Sequence, residues 1–117
     1  IRDYYAARGL GDVYKRQVVD EMPKFPGGQE GLMRYLARNI KYPTMAQQNK
    51  EQGKVLVQIV IGKDGNVSNI KILKGASAWL DAEAIRVVRG MPKWEPGKQN
   101  GQVVAVEYTF PITFRLQ

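Results

Sequence analysis

The sequence predicts an α+β fold: an antiparallel three-stranded sheet with helices packed on one face. Three observations point there. The elements read off in the order helix, helix, strand, strand, helix, strand, and helices gathered on one face of an antiparallel sheet satisfy that order. Each long strand has one apolar face, as a sheet covered on one side requires. The two main helices each carry one apolar stripe. At 117 residues the chain is a single domain at most.

Residues 1–21, IRDYYAARGLGDVYKRQVVDE, stand apart. Their apolar residues follow neither the helical nor the strand period, although Tyr4, Tyr5 and Leu10 are candidates for packing and Val18-Val19 for a short strand. This stretch reads as an N-terminal extension, a linker or a sequencing scar, and residues 1–17 stay out of functional reasoning until a structure shows them packed. Residues 22–117 form the domain proper.

PKFPGG, from Pro23 to Gly28, is a loop rich in breakers. A helix follows over about Gln29 to Asn39, where Leu32, Leu36 and Ile40 are spaced by four with Met33 beside them. Tyr42-Pro43 ends it, because a residue before proline avoids the helical region. Pro43 then opens a short helix, about Thr44 to Glu51, closed by Gly53. Lys54 to Ile61 is a strand with Val55, Val57, Ile59 and Ile61 on one face. Asp64-Gly65 turns the chain into the return strand, Val67 to Lys74, whose weaker alternation predicts a bulge or an outer position. The helix from Ser77 to Met91 has the stripe Leu80, Ala84, Val87, Val88 and Met91. Ser77 is its N-cap, acids lie in its first turns and arginines in its last. MPKWEPGKQNG is a stiff loop that turns at Asn100-Gly101 into the last strand.

Chemistry is excluded more than it is suggested. The chain has no cysteine and no histidine, which removes disulfides, thiol nucleophiles, histidine bases and Cys- or His-ligated metals. FPGGQEG lacks phosphate-loop spacing, and Lys63 to Asn66 lacks the later ligands of a calcium loop. Asp81 and Glu83 are two apart on a helix, so they diverge and read as dipole partners. Trp94, between Pro92 and Pro96, fits a ligand platform or, more commonly, a core lid with its N–H at the rim. The sequence predicts no enzyme, no cofactor and no metal. The net charge of +7 permits a nucleic-acid partner, but the basic residues are scattered and the strands lack exposed aromatic pairs for base stacking, so none is expected.

The last fifteen residues, VVAVEYTFPITFRLQ, alternate cleanly, with Val104, Val106, Tyr108, Phe110, Ile112, Phe114 and Leu116 on the apolar side. Pro111 lies in their midst, and proline cannot donate to a ladder. A strand residue sends its N–H and C=O to one side, and successive residues alternate sides. The odd set, Pro111 included, therefore addresses one neighbour, and open solvent is the neighbour that tolerates proline. The strand is expected to be an edge. That edge is either merely protected by its proline or a docking site for an extended peptide.

YP(x)₂A from Tyr42, then GKVLVQIVIGKDGNV, LDAEAIRVVRGMPKWEPGKQNGQ and VEYTFPITFRL resemble, in their order and spacing, the C-terminal domain of TonB energy transducers. The FPGG segment is similar to the version in Bacteroidetes-type bacteria. The likeness covers about Pro23 to Leu116. It implies a periplasmic domain of an inner-membrane-anchored protein that works with an ExbB/ExbD-type complex. It also implies that the domain grips the TonB box of an outer-membrane transporter by strand addition. The receiving residues it implies are Val103, Val104, Ala105, Val106, Glu107, Tyr108 and Thr109. The nearby segment Arg38, Asn39, Ile40, Lys41, Tyr42 and Pro43 is implied to lie close to the receptor. Rival expectations are a related envelope signalling domain and a homodimer paired through the last strand.

Overall fold

The computed structural model describes residues 4–7, 11–15 and 19–116. Its elements are β1 (Tyr4–Ala7), β2 (Gly11–Lys15), α1 (Gly28–Asn39), α2 (Thr44–Gln48), β3 (Gly53–Ile61), β4 (Val67–Lys74), α3 (Ala78–Arg89), β5 (Gly97–Gln99) and β6 (Gln102–Phe114). The strand order is β1-β2-β6-β3-β4, with β5 on the first residues of β6.

β3 is the centre. Val55, Val57, Ile59 and Ile61 are fully buried, and opposite them on β6 lie Ile112, Phe110, Tyr108 and Val106. Directly paired residues share a face, so these eight make one apolar surface. Leu32 and Leu36 of α1 and Leu80, Ala84, Val87 and Val88 of α3 close over it. Both main helices therefore sit on one face, as the amphipathic stripes require. Phe25 and Trp94 complete the core with an edge-on ring contact at 5.4 Å, and the hydroxyl of Tyr35 on α1 donates to the Val87 carbonyl of α3 at 2.8 Å. Ser77 caps α3 by accepting from the Leu80 amide.

The hairpin between β3 and β4 turns at Gly65, whose φ is +87° and whose missing Cβ would lie 2.1 Å from the Trp94 carbonyl oxygen. β4 is both bulged and, among the described residues, outermost: its register shifts twice, and no described strand follows it in the sheet.

Three expectations need correction. The sheet is not three-stranded. β5 joins β6 through a two-residue turn at Asn100-Gly101, with φ of +54° and +79°, a geometry that matches the twist of hairpin strands. β1 and β2 add an antiparallel pair from the N-terminal extension, and β2 joins β6 in parallel. The second helix ends at Gln48, because Asn49 leaves helical geometry and Lys50 takes a φ of +56°. The short strand expected at Val18-Val19 falls partly outside the described residues, and Val19 is irregular.

Candidate functional site

The last strand is embedded in its sheet. Pro111 lies opposite Leu56 of β3. It has no N–H, so this pair is one of the non-bonded pairs of the antiparallel ladder, and the flanking even-numbered residues bond to β3. The odd-numbered residues of β6 then address the other side. β3 reaches only to Val106, and β5 takes over at Gln102–Val104. The inner side of β6 is thus filled along its length.

The outer side is where the expectation of a bare edge fails. β2 lies there in parallel, with Val13 opposite Ala105, Tyr14 opposite Val106 and Lys15 opposite Glu107. β2 ends at Lys15, and Glu21 bridges to Lys98 of β5. Among the described residues no strand pairs with the outer side of Thr109 to Thr113. Of the receiving residues read from the sequence, Val103 is exposed. Val104, Glu107 and Thr109 are half-buried, and Ala105, Val106 and Tyr108 are buried. Burial pushes the Glu107 carboxyl up from its ordinary value.

The second predicted segment, Arg38 to Pro43, is the exit from α1. Two backbone groups in it are fixed by α3. Glu83 accepts from the Lys41 amide at 2.7 Å, and Arg86 donates to the Asn39 carbonyl at 2.9 Å. Glu83 and Arg86 are themselves joined through two hydrogen bonds of 2.7 Å. Their mutual bonding, the amide of Lys41 and nearby positive charge hold the Glu83 carboxyl below its usual value, against the opposing effect of burial. Tyr42 stacks edge-on against Phe114 at 5.7 Å, and its hydroxyl donates to the Glu51 carbonyl. Asp81 accepts from the Ala76 amide, as a first-turn acid should, but Glu83 is no dipole partner. It is a buried clamp whose backbone target is 42 residues away, a partnership invisible to helical spacing.

Of the second segment, Ile40 reaches β6 just past the end of the first segment, at Phe110 to Thr113. Ile40, with Leu32, Met33, Leu36 and Ala37 of α1, faces Phe110 to Thr113 across a groove of about 400 Å³. Periodicity placed Met33 beside the apolar stripe of α1. In the structure Met33 is 58 % exposed at the groove. Trp94 packs in the core, as expected, but deeper than a rim position: it is 3 % exposed, and its indole nitrogen has no hydrogen-bond partner among the described residues. No group of carboxylates that could hold a metal occurs among the described residues.

A family model described as the Gram-negative bacterial TonB protein C-terminal matches residues 38–116. This chain belongs to that family. Protein TonB of Pseudomonas aeruginosa is 31 % identical over 78 residues, which are 65 % of this chain and 22 % of that protein. The chain thus spans about a fifth of this curated relative. Two solution structures of the Helicobacter pylori TonB C-terminal domain share the fold. The longer, residues 179–285, has a TM-score of 0.57 and 27 % identity, with 74 % of this chain and 78 % of that one covered. The shorter, residues 194–285, has a TM-score of 0.57 and 26 % identity, with coverage of 75 % and 92 %. TonB C-terminal domains are non-enzymatic energy-transduction and interaction domains. Among the described residues of this one, no helix is long and apolar enough to cross a membrane.

Proposed function

We propose that this is the periplasmic receptor-binding domain of a TonB-type energy transducer, and that the outer side of β6 receives the TonB-box strand of an outer-membrane transporter. The observation that carries this reading is the seat of β2. An extended segment lies in parallel on Ala105 to Glu107, so the outer side of β6 there has the spacing that a partner strand needs. Family membership supports the same role. Strand addition suits a domain under load, because several parallel hydrogen bonds share it, each worth about 0.5–1.5 kcal/mol net. Val103, Ala105, Glu107 and Thr109 supply the main-chain groups. Arg38 to Pro43, held by Glu83 and Arg86, borders the path of the guest. The parent protein is anchored in the inner membrane and engages an ExbB/ExbD-type complex.

The test is amide hydrogen exchange on the full chain, with and without a TonB-box peptide. A guest that takes the seat of β2 leaves Ala105 and Glu107 protected while Val13 to Lys15 lose protection. Binding that changes neither set sinks the reading. So does protection at β6 that follows protein concentration without peptide, which would give the edge to a second copy.

A further inference from the structure

We propose that the groove between α1 and the C-terminal half of β6 is a side-chain subsite that selects guest strands by apolar residues just beyond the part that pairs with Ala105 to Glu107. The inference rests on the strand-addition reading and adds a specificity determinant to it.

Register fixes which guest positions matter. β2 runs parallel to β6 with Tyr14 opposite Val106. Residues paired across a ladder project to the same face. The even-numbered residues of β6, Phe110 and Ile112 among them, point to the helix face and into the core. A guest in this register therefore sends two later side chains to that face. They are the fourth and sixth residues after the one opposite Val106, and they lie about 7 Å apart along the strand.

α1 leaves room for them. The groove of about 400 Å³ opens beside Phe110 to Thr113, with Leu32, Met33 and Leu36 on its helical wall. Leu32 and Leu36 are buried, while Met33 stands 58 % exposed. A methionine at the lip of an apolar groove is an adaptable contact, because its unbranched thioether fills irregular gaps.

Pro111 makes side-chain contact necessary. In a parallel ladder each outward-facing residue donates one N–H to the guest and accepts one in return. Pro111 can accept but not donate. The guest loses one backbone bond opposite the groove, and apolar burial there offsets the loss. Among the described residues the chain's own extension does not pair with this stretch: β2 ends at Lys15, opposite Glu107, and Glu21 bridges to Lys98. The groove continues the line of the β2–β6 ladder, and its occupant is an extended peptide with apolar side chains at alternate positions.

Three peptides test this on the full chain. The first ends opposite Tyr108. The second continues with leucine opposite Phe110 and Ile112, and the third has serine at both places. Calorimetry gives affinities, and methyl and amide NMR shifts give location. The leucine peptide is expected to bind at least about tenfold more tightly than the serine peptide, from the burial of one or two aliphatic side chains. It should also shift the Met33 and Leu36 methyl signals, and Met33→Glu should erase the advantage while the thermal transition persists. Equal affinities, or unmoved Met33 methyls while the Ala105 and Glu107 amides shift, overturn the subsite and leave strand addition standing. If no peptide moves the β6 amides, strand addition falls and the subsite with it. Met33 shifts that track protein concentration without peptide assign the groove to a second copy and also overturn the proposal.

Discussion

Replacing Glu83 with alanine should loosen the exit of α1 from α3. The carboxylate accepts from the Lys41 amide at 2.7 Å and from Arg86 at 2.7 Å. The two contacts do not count equally. The Arg86 side chain is 55 % exposed, so the ion pair is screened and adds little. The bond from a backbone N–H to a buried carboxylate is a charge-assisted one, worth about 1.5–3 kcal/mol. The expected loss for Glu83→Ala is therefore about 2 kcal/mol, or a fall in Tm of roughly 8 °C for a domain of this size. Glu83→Gln keeps an acceptor for Lys41 and should lose about half as much. The pH dependence follows from the lowered folded-state pKa of Glu83. Its stabilisation is complete above the unfolded value of about 4.3 and disappears as pH falls through the folded value. Wild type and Glu83→Ala should thus differ at pH 6 and draw together as pH falls through the lowered folded-state value. Thermal melts across pH, with exchange at the Lys41 amide, provide the assay. A loss under about 0.5 kcal/mol, or Lys41 exchange unchanged in the variant, would refute the clamp.

Gly65→Ala should destabilise by at least about 2 kcal/mol, from a left-handed φ and a Cβ placed against the Trp94 carbonyl; chemical denaturation measures it. Thr109→Pro removes an outward N–H from β6 and should weaken TonB-box peptide binding severalfold in calorimetry, while the melt stays near wild type. Deleting residues 1–17 should leave the thermal transition cooperative, because the buried apolar cluster and the residues packed on it run from Met22 to Phe114. The deletion should also strengthen peptide binding, because the seat of β2 is vacated.

Much of the scaffold was legible because its signals are strong and local. Val55 to Ile61 and Val104 to Phe114 each keep one unbroken apolar face, and Leu80 to Val88 keep a helical stripe, so their faces followed directly. Pro111 correctly indicated which side of β6 lacks β3, since a missing N–H is readable from sequence. What it could not show was who stands on that side: pairing by β2 depends on backbone groups that any sequence carries. β5 escaped for the same reason. Gly97-Lys98-Gln99 has no apolar face, although Asn100-Gly101 is a hairpin signal that extends backwards as well as forwards. The short second helix was overextended because Asn49 to Glu51 are compatible with helix by propensity, and the left-handed Lys50 is a tertiary choice. In the candidate site, the clamp of Glu83 on Lys41 and the groove beside Met33 are contacts between distant elements. Spacing along one helix contains neither.

The central claim is that the outer side of β6 is a seat for a guest strand. Amide exchange at Ala105, Glu107 and Val13 to Lys15, in the full chain at saturating TonB-box peptide, tests it most directly. The account predicts sustained protection at Ala105 and Glu107 with exchange released at Val13 to Lys15. Saturable binding with protection retained at Val13 to Lys15 would contradict it.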